Sequence, residues 1–386
     1  MATDSIDPLP ASSRKQLVLA AQLAFLPTGI LTTLLGPMLP ILIVRWSLND
    51  AQAGNLFLVQ FLSSLVGVQL SGVLLSRLGF RPSFLLGLLL MACGTATLYM
   101  GGVGLGLASV AIYGLGLGLI IPTDNLLIAE ISSASRSGAV SLLNFFWGIG
   151  AVLCSLMVAW AADHRALPFF LGAVSLFLVL LAFAMRGLPF PPAEISKDRA
   201  PGCRQMFSSP AIWLFAAVFF LYPGAETAVG GWIGSYVSRF GAREAAIAPL
   251  MPAFFWAALT LGRGLGTFFL HRVRERRVLL VGFAAASAGI VLMLCSSSLP
   301  GVIAGAMITG LSYATLYPVT VARLSQRFGV AARSIGAVMF SLASLGPAVI
   351  PWMVGITSQS TGSLRAGLSL PLAATVILFL IHLRDW

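Results

Sequence analysis

Twelve acidic residues serve a chain of 386, and one of them sits where an acid is expensive to keep. Glu226 lies in Leu221-Tyr222-Pro223-Gly224-Ala225-Glu226-Thr227-Ala228-Val229-Gly230-Gly231-Trp232, near the middle of an apolar run from about Ala211 to Tyr236. About 20 helical residues cross the ~30 Å hydrocarbon core of a bilayer, so the run is long enough to span one. An ionised side chain at mid-span costs several kcal/mol unless it is paired, hydrated or protonated, which reads as a functional group lining a cavity. Pro223 withholds a backbone donor and the nearby glycines lower helix stability, so the helix can bend beside something it binds. The chemistry on offer is cation exchange. A carboxyl can load and release a proton as a cavity switches sides, or Glu226 with Thr227 and carbonyls near Pro223 can offer hard oxygens to sodium. The competing reading is a hydrogen bond to a neighbouring helix that only holds the bundle together.

No catalytic constellation accompanies this acid. His164, His271 and His382 fall at the ends of apolar stretches, no phosphate loop with Gly-Lys-Ser/Thr occurs, and no metal-ligand spacing is present. Gly114, Gly116 and Gly118 superficially resemble a dinucleotide loop, but they lie inside an apolar span, where small residues serve helix packing. Cys93, Cys154, Cys203 and Cys295 are scattered without paired spacing, so neither a disulfide framework nor a metal site is indicated. The expectation is a protein that is not an enzyme and uses no cofactor.

The elements that must position Glu226 follow from composition. Hydrophobic residues make up 58% and charged ones 9%, with a mean hydropathy of +0.95, against about 25% charged in soluble proteins. This is an all-α, polytopic membrane protein. The net charge of +11 orients such a chain and gives no support to a nucleic-acid partner. Apolar stretches bounded by charged or Gly/Pro-rich breaks fall at about 17–44, 51–75, 82–100, 104–131, 137–161, 166–185, 211–237, 246–270, 278–297, 299–323, 334–357 and 364–383. These are twelve expected transmembrane helices. The division expected is a cytoplasmic tail over 1–16, a six-helix bundle over 17–186, a polar cytoplasmic linker over 187–210 and a second six-helix bundle over 211–386. With both termini inside, 17 Lys and Arg fall on the inner side and five on the outer, with Arg263 left within a span. That bias agrees with the positive-inside rule and with a multi-pass protein of a plasma or inner membrane. Asp4 and Asp7 precede a first apolar run too long for a signal-peptide core, so no cleavage is expected.

The two bundles repeat one another. Arg77, Arg81 and Gly87 match Arg272, Arg276 and Gly282 at a displacement of 195 residues. Pro27, Gly114 and Pro122 match Pro223, Gly310 and Pro318 at 196. Several coincidences near one offset, close to half the chain, indicate a duplicated six-helix unit with parallel, pseudo-symmetric repeats.

With these features the chain resembles the major facilitator superfamily along nearly its whole length. Gly72-Val-Leu-Leu-Ser76-Arg77-Leu-Gly79-Phe80-Arg81 resembles the family's G-x-L-x-D-R-x-G-R-R/K loop between helices 2 and 3, departing at Ser76 and Phe80. Without the usual Asp, the charge network made by that loop does not carry over. Gly36-Pro37-Met38-Leu39-Pro40, Tyr222-Pro-Gly-Ala-Glu226 with Gly231-Trp232, and Tyr317-Pro318 are similar to the fucose-permease-like and sodium-dependent glucose transporter-like branch. Fucose permeases carry a helix 4 carboxylate about four residues before an Asn. Here Ile121 precedes Asn125 at that distance, and Asp124 stands beside the Asn instead.

The resemblance implies the major facilitator fold and transport of a small molecule by alternating access, with the solute held between the halves near the midplane. Glu226 is the expected coupling-ion residue, with Asp124 as a second candidate. Asp124 and Arg263 lie at similar depths in helices 4 and 8, so the fold implies a gating pair between them when the inner side is closed. The alternative leaves Arg263 capping local carbonyls and Asp124 reaching interfacial water. Solute contacts are expected from Gln22, Asn55, Gln60, Asn125, Asn144, Trp147, Trp232, Tyr313 and Tyr317, since amides donate and accept and aromatic faces suit a sugar ring. The expected protein is a monomeric secondary transporter of a neutral polar solute, a sugar, coupled to protons or sodium. The rival is an exporter of amphipathic drugs or lipids, whose sign is a cavity of Phe and Met without converging amides.

Overall fold

The structure, a computed structural model, describes residues 11–132, 136–191, 209–269, 273–328 and 332–384. Most of the expected linker (192–208), the first ten residues of the expected tail, Cys203 and His271 lie outside the described residues. Among them the chain is helical: α1 Ala11–Thr33, α2 Leu35–Trp46, α3 Asp50–Leu78, α4 Phe80–Thr97, α5 Val103–Ile131, α6 Arg136–Asp163, α7 Leu167–Met185, α8 Pro210–Val237, α9 Ala242–Ile247, α10 Met251–Phe269, α11 Glu275–Cys295, α12 Leu299–Tyr313, α13 Leu316–Phe328, α14 Ala332–Thr361, α15 Leu364–Gly367 and α16 Ser369–Leu383. Twelve stretches of this helical structure are long and apolar enough to cross a membrane. Because twelve is even, Ala11 and Leu383 lie on one face, called here the terminal face; Trp46, Asp50, Val237 and Thr361 lie on the opposite one.

The first and tenth expected spans are each interrupted, and a proline follows the break. The first divides at Leu34, where Pro37 has no N–H for the carbonyl of Thr33, and hydrogen bonding resumes from Met38 to Leu34 at 3.1 Å. The tenth divides at Ala314–Thr315, where Pro318 deprives the carbonyl of Ala314, and bonding resumes from Val319 to Thr315 at 3.2 Å. The first helix also begins at Ala11 rather than 17, carrying the exposed Arg14 and Lys15 beyond its apolar part.

Local chemistry sets the other boundaries. Asn49 and Gln52 form a reciprocal capping box at the start of α3 (2.8 and 3.0 Å). Gly79 ends α3 at φ 82°, a left-handed conformation that admits glycine without strain, so α4 can begin at once. In the N-terminal half α5 packs closely on α3. A Cβ on Gly67 would come within 2.9 Å of the Gly118 backbone, so only small residues permit the approach. In a bilayer, such packing supplies the association that the hydrophobic effect supplies in water.

Between the halves α2 packs on α8, α3 on α14 and α6 on α10. Contacts concentrate at the opposite face. Asp50 pairs with Arg239 at 2.5 Å, accepts from the Ser358 hydroxyl at 2.5 Å, and donates its backbone N–H to Gln359 at 3.3 Å. Below this closure the Trp232 ring lies tilted against Phe57, with centroids 6.0 Å apart.

Candidate functional site

Tyr222 and Glu226 are four residues apart on α8 and therefore share a helix face. The Tyr222 hydroxyl donates to Oε2 of Glu226 and also stands 3.0 Å from the backbone carbonyl oxygen of Tyr313. Tyr313 closes α12, the point in the tenth span where intrahelical donors run out. Its ring meets Tyr222 edge-on at 5.3 Å, while Tyr317, just past the break, stacks with Tyr222 at 6.3 Å. Two spans of the C-terminal half thus enclose the carboxyl in aromatic rings, and its side chain is only 12% exposed.

The other carboxylate oxygen, Oε1, faces Nη2 of Arg263 on α10 at 4.0 Å, the outer reach of an ion pair. The guanidinium carbon lies 5.5 Å from the centre of the Trp147 ring in the opposite half, inside cation–π range. Its Nε is buried without a hydrogen-bond partner. Arg263 is therefore only partly compensated. Two unit charges about 4 Å apart interact by about 4 kcal/mol at an effective dielectric of 20. A second fixed cation on Glu226 meets a repulsion of that order, whereas a proton removes the charge altogether.

Beside this group opens a cavity of about 390 Å³. Val140, Ser141, Asn144, Phe145 and Gly148 of α6 line one side; Thr260, Arg263 and Gly264 of α10, with Ala314, Thr315, Tyr317 and Pro318 at the break, line the other. It lies between the halves, away from the closed face. Trp147, which reaches Thr32 through its indole N–H at 3.4 Å and meets Trp256 edge-on, forms its shoulder.

The expected site residues separate into two groups. Asn144, Tyr317 and Arg263 line the cavity, and Trp147 and Glu226 adjoin it through Arg263. Gln60, Asn55, Trp232 and Tyr313 are engaged in contacts between helices. Gln60 is fully buried, accepting from Tyr113 at 2.9 Å and donating to the carbonyl of Thr32 at 3.0 Å. Asn55 accepts from Trp352 at 3.0 Å near the closed face, Trp232 donates to the carbonyl of Pro351 at 3.0 Å, and the Tyr313 hydroxyl meets Thr375 at 2.6 Å. Asn125 spends an N–H on Ile121 of its own helix, and Gln22 is half-buried in α1.

Asp124 departs from the expected pairing. It is fully buried and neither carboxyl oxygen has a hydrogen-bond partner, while Arg263 turns to Glu226. Asp124 is enclosed in the core of the first half, away from the cavity that Arg263 lines, so the guanidinium meets the acid of its own half. The residue missed by sequence reasoning is Tyr222 as Glu226's partner, although its i, i+4 spacing was a usable signal. Ser141, Thr260 and Thr315 carried none, because hydroxyls on apolar spans usually satisfy their own backbone.

The profile of the Major Facilitator Superfamily matches residues 22–351. Bypass of stop codon protein 6 of Saccharomyces cerevisiae is 23% identical over 294 residues, 67% of this chain and 58% of that protein. Sodium-dependent glucose transporter 1A of Mus musculus is 22% identical over 382 residues, 86% of this chain and 87% of that protein. Among solved structures, a D-xylose–proton symporter superposes with a TM-score of 0.79 at 16% identity, covering 95% of this chain and 97% of the other. The fucose:proton symporter of E. coli superposes with a TM-score of 0.67 at 16% identity, covering 96% and 98%. At such identity these likenesses establish the fold alone.

Proposed function

The chain belongs to the major facilitator superfamily and is a secondary transporter of twelve spans; from that premise we propose that it moves a small neutral polar solute, a sugar, coupled to protons or sodium through Glu226. The observation that carries this reading is the half-compensated Glu226–Arg263 pair at the edge of a cavity between the halves. A charge pair at the limit of contact opens and closes readily, and a cation arriving on the carboxyl changes what Arg263 holds. Asn144, Tyr317, Thr260 and Ser141 offer donors and acceptors to hydroxyl groups, and Trp147 offers an aromatic face. An amide and several hydroxyls in the lining, with one Phe and no Met, support a sugar, while the mostly apolar wall keeps an exporter of amphipathic drugs or lipids as the alternative.

The terminal face is assigned to the cytoplasm of a plasma or inner membrane, and the basic-residue bias supports that orientation. The closure around Asp50 then seals the outer side, and the cavity belongs to an inward-facing state. The two six-helix halves rock about the midplane as a monomer in the lipid bilayer, with the segment 187–210 joining them. Asp124, in the core of the first half, is the second acid that a coupling cation can reach once the helices move.

The test is uptake of labelled D-glucose and D-xylose into proteoliposomes under a pH or sodium gradient, with Glu226→Gln in parallel. Accumulation driven by one gradient and lost in the variant is the expected result. Accumulation unchanged by the substitution removes the coupling role; indifference to sugars together with movement of dyes or lipids favours the exporter.

A further inference from the structure

One hydroxyl proton faces two acceptors. Tyr222 can donate to the Glu226 carboxylate or to the Tyr313 carbonyl, both within its reach, but it has a single O–H. With Glu226 ionised, the charged acceptor takes that proton, because hydrogen bonds to ionised groups are the stronger ones. The Tyr313 carbonyl, at the end of a helix, is then left short of a donor. With Glu226 protonated, the carboxyl supplies its own O–H to the Tyr222 oxygen, and Tyr222 is free to turn its proton to Tyr313. Every donor then has its own acceptor. The proton enters on Glu226 from one side of the membrane and leaves to the other, with no covalent change besides O–H bond formation and loss.

We propose that Tyr222 is a positioning residue that transmits the protonation state of Glu226 to the break in the tenth span, so that the coupling ion is a proton. The inference rests on the reading of Glu226 as the coupling site. Its geometric support is the location of Tyr313: the carbonyl that gains or loses the bond belongs to the last residue of α12, and the next turn carries Tyr317, Pro318 and the cavity wall. Tightening the seventh span onto this break when Glu226 is neutral, and loosening it when Glu226 is charged, moves the lining of the cavity. A sodium ion on Glu226 cannot donate to Tyr222; it could free that hydroxyl proton only by taking the Tyr222 oxygen as a ligand, and there it stands against Arg263.

Among the described residues the charged and titratable groups around Glu226 are few. Tyr222 shares its helix, Arg263 faces it from α10, and Tyr313 and Tyr317 face it from the tenth span. From the twelfth span, Arg365 and His382 stand near opposite ends, and Arg45 ends α2 at the closed face; none of them is at this depth. Neither α14 over its described side chains nor the turn Ala248–Leu250 brings a titratable group to it.

The experiment is infrared difference spectroscopy of the purified full-length protein between high and low pH, with ring-deuterated tyrosine marking the tyrosine bands. A protonated-carboxyl band should appear on acidification, be absent in Glu226→Gln, and rise together with a tyrosine band that is absent in Tyr222→Phe. A Glu226 carboxyl band without any tyrosine change overturns the proposal and leaves Glu226 as the coupling site. No carboxyl band assignable to Glu226 at any pH removes both. If Tyr222→Phe does not fold, a wild-type tyrosine band that persists in both Tyr313→Phe and Tyr317→Phe supports the proposal, and a band lost in either overturns it. Where it folds, Tyr222→Phe proteoliposomes should exchange D-glucose or D-xylose at equilibrium yet lose about tenfold in proton-driven accumulation; wild-type accumulation in the variant, or accumulation driven by sodium at clamped pH, overturns the proposal.

Discussion

At the positions where the C-terminal half keeps its acid cluster, the N-terminal half keeps hydrocarbon. A displacement of 196 residues takes Glu226 to Ile30, Tyr222 to Leu26, Tyr313 to Leu117 and Tyr317 to Ile121. The displacement of 195 that relates the second and eighth spans takes Arg263 to Val68. Ile30 and Leu117 belong to the buried apolar core. The prolines and glycines that shape the spans recur in both halves, as Pro27 with Pro223, Gly114 with Gly310 and Pro122 with Pro318. The N-terminal half has a polar network of its own, but a neutral one: Tyr113 donates to Gln60, and Gln60 donates to the carbonyl of Thr32. Each of these donors has one acceptor, so the arrangement stiffens three spans. In the C-terminal half one donor has two acceptors and a charge stands half-compensated, so the arrangement has two states. Duplication supplied a common frame, and at these matched positions charge was placed in one copy of it.

The contrast can be broken most severely by making the second half like the first. Glu226→Ile combined with Arg263→Val removes both charges together and should leave a folded protein whose gradient-driven uptake falls about 100-fold, the upper range of coupling energies between two ligands. Uptake into proteoliposomes at wild-type level would show that the cluster is ornamental. The reverse change, Ile30→Glu, places an uncompensated acid in the first span and should destabilise the chain by about 3 kcal/mol. A melting temperature in detergent or lipid nanodiscs equal to that of the parent would mean that the N-terminal half accommodates charge as readily as its partner. Gln60→Leu strands the Tyr113 hydroxyl and should lower stability by about 2 kcal/mol while leaving the ratio of coupled to uncoupled transport intact; a change in that ratio would make the neutral network part of the switch.

The smallest effect is expected at the closed face. Arg239 there is 39% exposed, so solvent screening holds the Asp50–Arg239 pair to about 0.5–1 kcal/mol. Asp50→Asn should shift the balance toward the outward-open state by about two- to fivefold, read as solvent labelling of a cysteine introduced at Ser235, buried near the closed face. Unchanged labelling would leave closure to the apolar contacts of Trp232 and Phe57.

Glu226 was conspicuous in the chain because it is the one charged residue in the apolar run from Ala211 to Tyr236, and no other feature is needed to notice it. The twelve spans were equally legible, since hydrocarbon thickness dictates a length that sequence displays directly. The breaks at Leu34 and Ala314–Thr315 were less so: Pro223 sits within an unbroken α8, while Pro37 and Pro318 each follow an interruption. A proline withdraws one donor wherever it stands, and the neighbouring helices decide whether the backbone parts there. Asp124 and Arg263 showed the same limit. Their depths along the spans match, but depth says nothing about which way a side chain turns around its helix or how far apart the halves stand.

Composition and periodicity by themselves determined a membrane-spanning, duplicated, all-helical frame with one costly acid near its centre, because burial in hydrocarbon penalises every charge independently of neighbours. Only the tertiary structure decided that Glu226 meets Tyr222 and Arg263, that Gln60 and Trp232 serve helix contacts, and that the cavity opens between α6, α10 and α13. Those choices depend on helix rotation and on the separation of the two halves, which arise from the packing of residues hundreds of positions apart.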